Sequence, residues 1–262
     1  MPLPSIDVTR DGDIATVALN NPGKLNALTV AMWQQFARAM RELSADDGLR
    51  CIVLRGTGDE AFAAGADIAE FAHARNNFEQ GKIYHLEYVF GALKAVGECR
   101  HPTVALIKGA CAGGGLEIAC ACDLRVSGAS GRFGVPINRL GFTIAYGELA
   151  GLLALAGRAA AAEMLLEGRM WNADEAFAKG LLTRVVPDAE VEAEAYAAAR
   201  RIADGAPLVA RWHKQYIRRL MPQAAPLTQA EIDANFDYFD TEDYRIGYDA
   251  FINKKKPVFK GR

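Results

Sequence analysis

A glycine-rich segment occupies residues 108–119, with the sequence Lys108-Gly109-Ala110-Cys111-Ala112-Gly113-Gly114-Gly115-Leu116-Glu117-Ile118-Ala119. It follows an apolar run at 103–107 that has the composition of a buried strand, and it leads into an apolar segment typical of a buried helix. A strand, a tight turn and a helix start leave backbone N–H groups without partners, and such donors bind anions. Glu117 follows Gly114 by three residues, so a helix would place both on one face.

This segment also has a purely structural interpretation. Glycines after a strand often serve only to let a helix pack closely, and a glutamate in a first helical turn often serves only as a cap.

A second turn favours a functional interpretation. Asp67 with Glu70 resembles a capping box, which places Ala66 in the turn before a helix with a free N–H. Two N–H groups aimed at one point form an oxyanion hole.

The two turns resemble those of the enoyl-CoA hydratase/isomerase family, the crotonases, and the resemblance covers nearly the whole chain. It rests on a combination of short motifs: Asn20-Asn21-Pro22 with Leu25-Asn26-Ala27-Leu28, Phe62-Ala63-Ala64-Gly65-Ala66-Asp67, Gly109 to Glu117, Cys122-Asp123-Leu124, Trp171-Asn172-Ala173-Asp174-Glu175-Ala176 with Gly180-Leu181, and the tail from Phe251 to Arg262. Each motif alone is weak, whereas the combination is specific to the family.

Thr29 can cap a helix, and a further helix is expected from about Lys82 to Glu98. The region after residue 190 is expected to be helical, with breaks at Pro207 and at residues 222–226. The alternation of short strands and helices by itself predicts only an α/β fold. The resemblance implies a crotonase-like spiral of ββα units in residues 1–190, carrying the CoA thioester site. It also implies a C-terminal helical region, residues 191–262, for trimerisation and for closing the active site. A homotrimer or homohexamer is therefore expected.

The resemblance also assigns site residues. The N–H groups of Ala66 and Gly114 would form an oxyanion hole for a CoA thioester, and Glu117 would match the first of two catalytic glutamates. The residues expected to contact the CoA thioester are Lys24, Ala64, Ala66, Asp67, Ile68, Gly114 and Ile137. Coenzyme A would arrive as part of the substrate, and no other cofactor is implied.

The second catalytic glutamate of the hydratases is absent from this chain. The matching segment is Phe133-Gly134-Val135-Pro136-Ile137-Asn138, so Ile137, which cannot transfer a proton, takes that position and is expected to line the acyl pocket. Glu148, Arg139 and Tyr146 are nearby polar groups that could replace the missing acid.

Several reactions remain open for this site. One carboxylate suffices to move a proton between two carbon atoms, which fits enoyl-CoA isomerisation, whereas hydration benefits from two. We expect isomerisation or hydration in fatty-acid or related acyl-CoA metabolism. A lyase acting on a bulkier acyl-CoA and a non-catalytic CoA- or RNA-binding relative are the alternatives. The presence of Glu117 favours an enzyme.

The composition suits one globular domain with a large core. The chain has 262 residues, 51% of them apolar, and a net charge of −2, which gives no general attraction for nucleic acid. No uninterrupted run of about 18 apolar residues predicts a membrane span, and Met1 to Asp7 lacks the features of a signal peptide. Five cysteines without a C-x-x-C pair favour free buried thiols in the cytoplasm.

Two further sequence features bear on ligands. The four histidines show no ligand spacing, so no metal site is expected. The tail 254–262 is basic. It is either a solvated terminus or a surface that attracts the phosphates of CoA, and the resemblance implies a similar role for Lys24.

Overall fold

The computed structural model describes residues 3–222 and 225–262, and within them the chain forms ten strands and eleven α-helices. The strands are β1 (Ser5–Asp11), β2 (Ile14–Asn20), β3 (Cys51–Gly56), β4 (Ala61–Ala63), β5 (Thr103–Ile107), β6 (Ala110–Ala112), β7 (Leu124–Gly128), β8 (Arg132–Gly134), β9 (Trp171–Asn172) and β10 (Arg184–Val186). The helices are α1 (Val30–Ala45), α2 (Phe71–Ala74), α3 (Phe78–Ile83), α4 (Phe90–Gly97), α5 (Gly114–Ala121), α6 (Tyr146–Glu167), α7 (Ala173–Ala178), α8 (Val191–Ala203), α9 (Pro207–Leu220), α10 (Gln229–Ala234) and α11 (Glu242–Ile252).

The strands form two sheets. The larger has the order β1-β2-β3-β5-β7-β10, in which only the β1–β2 pair is antiparallel, and the smaller has the order β4-β6-β8-β9. Successive strand pairs, β3 with β4, β5 with β6 and β7 with β8, each contribute one strand to each sheet. This arrangement confirms the predicted α/β fold with repeated ββα units, a repeat that the residue pattern alone did not reveal.

Helix α1 anchors the core between the sheets. The Thr29 hydroxyl accepts a hydrogen bond from Met32 N at 3.2 Å, which confirms the predicted N-cap. Trp33, Phe36 and Met40 follow helical spacing and are buried in the largest apolar cluster. On the other face of the large sheet, α8 packs its alanines against β3, β5 and β7.

The segment from α3 to α4 differs from the single helix predicted for residues 82–98. A π-helical stretch, Tyr84–Val89, joins the two α-helices. The wider turn places Tyr84, His85 and Val89 on the buried side. Such π-helical segments are frequent at functional sites, because they redirect side chains that a regular helix would send elsewhere.

Helix α6 is the one helix in the described part of the chain that is long and apolar enough, by length and composition, to cross a membrane. The sequence prediction of no spanning helix had counted only uninterrupted apolar runs. Gly157 has φ +76° and ψ 173° and interrupts the 22-residue helix near its middle. Each half is then shorter than the roughly 20 residues that a membrane span needs. We therefore interpret α6 as a kinked helix of a globular domain.

The C-terminal region is helical, as predicted, and α8 shares the core of the larger sheet. Part of the predicted break at residues 222–226 lies outside the described residues. Helix α9 exposes Trp212, Tyr216 and Ile217 on one side.

All five cysteines are buried and unpaired, as expected. The boundary at residue 190 and the trimer stay predictions.

Candidate active site

The glycine turn at the start of α5 provides the first free N–H. Gly113 precedes the helix with φ +47° and ψ −125°, a conformation that strongly favours glycine. A Cβ atom on Gly114 would lie 2.7 Å from Trp33 Cζ2, so only a glycine lets the helix start so close to the Trp33 ring. The helix begins at Gly114, two residues before the predicted apolar segment.

The second turn follows β4 and lies beside the first. Gly65 has φ +106°, and a Cβ atom placed on it would be 3.7 Å from Gly114 N. Gly65 O accepts from Leu28 N at 2.7 Å, and Asp67 N donates to Leu28 O at 2.8 Å, which fixes the backbone on either side of Ala66. Among the described residues, neither Ala66 N nor Gly114 N donates a hydrogen bond. The two N–H groups thus lie on neighbouring turns without an acceptor, as an oxyanion hole requires, and their role as its donors stays a prediction.

The capping pattern at Asp67 and Glu70 is only half as predicted. Asp67 caps a short 3₁₀ turn, Ile68–Glu70, by accepting from Ala69 N at 3.2 Å. The Glu70 carboxylate instead accepts from Val30 N at 2.7 Å, so it caps α1, a helix distant in sequence. The capping-box prediction was wrong for Glu70, because a tertiary contact with the free N-terminus of α1 replaces the local one.

A cavity of about 450 Å³ opens in front of the two turns. Six of the predicted site residues line it: Ala64, Ala66, Ile68, Gly114, Glu117 and Ile137. Lys24 and Asp67 are absent from its wall and form an ion pair, with 2.6 Å between Lys24 Nζ and Asp67 Oδ2. The contact of Lys24 with CoA phosphates stays a prediction.

The C-terminal residues Phe251, Lys255 and Pro257 also line this cavity, next to the exposed Arg139. The cavity therefore has cations near solvent and an apolar, enclosed interior. Farther along the tail, both Lys260 and Arg262 pair with Glu242.

Glu117 follows Gly114 by three residues and lines the cavity from the first turn of α5. Burial raises the pKa of Glu117 well above its usual range, and repulsion from Glu148 adds to this, while Arg75 opposes it. A carboxyl group with a raised pKa can hold a proton near neutral pH and release it to a carbon atom.

A second carboxyl group shares the cavity. Glu148 is only 3% exposed and accepts a hydrogen bond from His85 Nδ1 at 2.5 Å. His85 Nε2 is buried and has no partner among the described residues. Burial lowers the pKa of His85, so the neutral ring is favoured. With Nδ1 donating to the carboxylate, Nε2 is left as an acceptor.

The other two candidates for the missing acid differ in position. Tyr146 is 47% exposed and does not line the cavity. Arg139 lines it but is exposed. Ile137 lies on the cavity wall at the start of a 3₁₀ turn, Ile137–Leu140, and packs against the main apolar cluster, while its contact with an acyl group stays a prediction.

Sequence reasoning missed much of the cavity wall, including three titratable side chains, those of Arg75, Tyr84 and His85. Tyr84 accepts a hydrogen bond from Trp33 Nε1 at 3.1 Å, and burial raises its pKa to a value far from neutrality. No spacing in the sequence marks these residues, because their partners come from distant segments. Across residues 3–222 and 225–262, no group of His, Cys, Asp and Glu has the arrangement of a metal site.

Comparison with known proteins identifies the fold and its site together. The model of the enoyl-CoA hydratase/isomerase family matches residues 9–262. The chain belongs to this family. A short-chain-enoyl-CoA hydratase of Clostridium acetobutylicum is 33% identical over 100% of both chains.

Solved structures agree with this membership of the enoyl-CoA hydratase/isomerase family. An enoyl-CoA hydratase/carnitine racemase from Magnetospirillum magneticum is 49% identical, with a TM-score of 0.82 over 100% of this chain and 97% of its own. A methylmalonyl-CoA decarboxylase in complex with 2-nitronate-propionyl-CoA is 26% identical, with a TM-score of 0.87 over 98% of each chain. The crotonase fold is thus established for this chain, and family members of similar fold carry out different acyl-CoA reactions.

Proposed function

We propose that the protein is an acyl-CoA enzyme that adds water to the double bond of a 2-enoyl-CoA thioester, reversibly, through an enolate. The observation that supports this proposal most strongly is the convergence of four groups on one cavity: two free N–H donors, the Glu117 carboxyl and the Glu148–His85 pair. Hydration needs one group to activate water and another to protonate carbon, and this cavity contains both.

The oxyanion hole would bind the thioester oxygen. As the water oxygen bonds to the β carbon, negative charge moves to the thioester oxygen. The N–H groups of Ala66 and Gly114 would stabilise this charge. Such donors act most strongly on the enolate, because its oxygen carries more charge than the carbonyl of the substrate. Loss of one donor typically costs about 3–4 kcal/mol of barrier.

The two acid–base groups would have opposite roles. Neutral His85, held by Glu148, would accept a proton from water at Nε2, and the water oxygen would bond to the β carbon. Glu117, protonated because of its raised pKa, would give its proton to the α carbon. Dehydration follows the same steps in reverse, with Glu117 removing the α proton.

Migration of a double bond is the second candidate, and Ile137 favours it. With an apolar residue at the position of the second hydratase glutamate, Glu117 alone would remove a proton from one carbon of a 3-enoyl-CoA and return it to another. The same oxyanion hole would stabilise the dienolate. This reaction does not require His85.

Labelled water separates the two candidates. Purified protein is incubated with 2-enoyl- and 3-enoyl-CoA thioesters in D₂O containing H₂¹⁸O, and products are analysed by mass spectrometry and NMR. Hydration introduces one ¹⁸O at the β carbon and one deuterium at the α carbon, and His85→Gln abolishes it. Bond migration introduces no ¹⁸O and survives His85→Gln. Tyr146→Phe, at an exposed position outside the cavity, is the matched control. Binding of thioesters without any turnover would contradict both candidates and favour a non-catalytic relative.

Self-association and location in the cytoplasm belong to the same proposal. The exposed aromatic residues of α9 support a trimer or a dimer of trimers, since large apolar surfaces are usually covered by a partner. Five unpaired cysteines support a reducing compartment. Light scattering of the purified protein would test the trimer, and a monomer at micromolar concentration would contradict it.

A further inference from the structure

Arg75 is a buried cation on the wall of the active-site cavity. It follows α2 directly, and it is only 1% exposed. Its guanidinium carbon lies 3.9 Å from the centre of the Phe142 ring and 4.6 Å from that of Phe71. Three more aromatic rings, those of Tyr84, Tyr238 and Phe239, lie within 5.9 Å.

The charge of Arg75 is left without an anionic partner. Nη2 donates to the neutral hydroxyl of Tyr238 at 2.8 Å. Nε is buried and has no hydrogen-bond partner, and the guanidinium forms no ion pair with any described residue. Aromatic faces offset only part of the cost of removing a guanidinium from water, and arginine cannot lose its proton to escape that cost.

The two carboxyl groups of the cavity do not serve as this partner. Both oxygens of Glu148 already accept hydrogen bonds, one from His85 and one from Ala145 N at 3.3 Å. Glu117 tends to keep its proton. The site thus contains an unpaired positive charge in an apolar interior, where it would attract an anion strongly.

The position of Arg75 limits which part of a CoA thioester can supply that anion. The phosphates of CoA are bulky and hydrated, and exposed cations, Arg139 and Lys255, lie on the same cavity wall near solvent. Arg75, enclosed by aromatic rings, is accessible only to the acyl group inside. A carboxylate is a small planar anion that accepts hydrogen bonds from guanidinium N–H groups.

We propose that Arg75 binds a carboxylate at the end of the acyl group, so that the preferred substrates are CoA thioesters of dicarboxylic acids. This inference rests on the proposed function for the orientation of the thioester in the oxyanion hole. The aromatic residues around Arg75 would exclude water from this ion pair and so strengthen it.

The test compares equilibrium binding of matched, saturated thioesters, which need no turnover. Glutaryl-CoA and adipoyl-CoA are each measured by calorimetry against their terminal methyl esters and against the plain chains, valeryl-CoA and hexanoyl-CoA. For at least one chain length the wild-type protein should bind the acid at least about tenfold more tightly than its ester. This first comparison uses the wild-type protein alone and so does not depend on the folding of any variant.

Two variants then locate the effect. Arg75→Met keeps the length of the side chain and removes its charge, and it should abolish the preference for the acid. Arg139→Met, which removes an exposed cation from the same cavity, is the matched control and should weaken binding of acid and ester equally. Arg75→Lys should retain part of the preference.

Equal or weaker binding of the acid at both chain lengths would overturn the inference, as would a preference that survives Arg75→Met. The outcome is separable from that of the proposed function. If no enoyl thioester is turned over while the acid preference holds and depends on Arg75, the proposed reaction fails and the carboxylate site stands. If turnover occurs without any preference for the acid, the proposed reaction stands and the carboxylate site fails.

Discussion

Two polar clusters of this protein differ in whether their charges are paired. The first joins α9 to the sheet: Lys214 Nζ lies 2.6 Å from Asp123 Oδ2 and 3.0 Å from His101 O. The same Asp123 oxygen accepts from Thr103 N at 2.8 Å and from Thr103 Oγ1 at 2.9 Å. This cluster, the α9 anchor, has a partner for its cation and for its carboxylate.

The second cluster consists of the four cavity side chains Glu117, Glu148, His85 and Arg75. Here Arg75 Nε and His85 Nε2 are buried without partners among the described residues, and the pKa of Glu117 is raised. Buried polar atoms without a partner also occur outside this cavity, in Arg100, His101, Trp171 and Arg211. Arg75 and His85 differ from these because both line one cavity, where a ligand can supply the missing partner. The comparison teaches that charges paired within the protein support the fold, whereas unpaired polar groups that share a cavity are available to a ligand.

The largest effect is expected from Glu117→Gln in the cavity cluster. The amide keeps the shape of the side chain but cannot exchange a proton, so kcat/KM for the 2-enoyl-CoA should fall by about 10²–10⁴-fold. Initial rates under single-turnover conditions provide the measurement. A loss of less than about tenfold would assign the proton transfer to another group.

The second-largest effect is expected from Gly114→Ala, because the added Cβ would collide with Trp33 and displace an oxyanion donor. We expect kcat/KM to fall by about 10²–10³-fold. The double variant with Trp33→Phe, which removes the colliding ring atoms, should recover part of this loss. If the double variant recovers no rate and the protein stays folded, the contact with Trp33 does not set the position of the donor.

The α9 anchor should give the opposite phenotype. Asp123→Asn removes the counter-charge of the buried Lys214 and should lower the free energy of unfolding by about 1–2 kcal/mol, because the Asp123 carboxylate is partly exposed and water already screens the pair. The rate per folded molecule should stay unchanged. Glu117→Gln, in contrast, should raise the free energy of unfolding at neutral pH, since it removes a carboxyl group that resists ionisation.

Urea denaturation of both variants at several pH values checks this contrast. With a folded pKa above the unfolded one, Glu117 costs the wild type stability as pH rises from about 4 towards the folded pKa. The difference between wild type and Glu117→Gln should therefore grow over that range and then level off. A rate loss in Asp123→Asn as large as in Glu117→Gln would erase the distinction between the clusters.

The smallest expected effect is a shift in pH dependence. Hydration requires protonated Glu117, so kcat/KM should fall at high pH with the pKa of this group. Glu148→Gln removes the neighbouring negative charge that helps to raise this pKa, and the high-pH limb should move to lower pH. Profiles of kcat/KM against pH would measure it. An unchanged high-pH limb would mean that a group other than Glu117 controls the fall of kcat/KM at high pH.

The sequence predicted the parts of the site that depend on local order. The strand, turn and helix around Gly114 and the cap at Thr29 follow from residues close together in the chain, and so does the placement of Glu117 on a helix beside the turn. The resemblance to the family supplied the spiral of ββα units, which residue patterns alone did not reveal. The capping pattern at Asp67 placed Ala66 in a turn with a free N–H, and the resemblance added the contact with a CoA thioester that is proposed for it.

The sequence did not predict the contacts between distant segments. His85 meets Glu148 across 63 positions, and Arg75 meets Tyr238 across 163. Glu70 reaches Val30 across 40 positions, which overturned the local capping box. The π-helical stretch that turns His85 inward has no sequence signature, because it depends on packing against α1 and on the hydrogen bond between Tyr84 and Trp33.

The central claim is that Glu117 moves a proton at the α carbon of a thioester whose oxygen is held by two N–H donors. Exchange of the α protons of a saturated acyl-CoA with D₂O tests it directly, because this exchange needs the oxyanion hole and a base but neither water addition nor a double bond. NMR should show enzyme-dependent loss of the α-proton signal with the wild type, reduced at least about 100-fold in Glu117→Gln. Exchange that proceeds equally fast in Glu117→Gln would contradict the account.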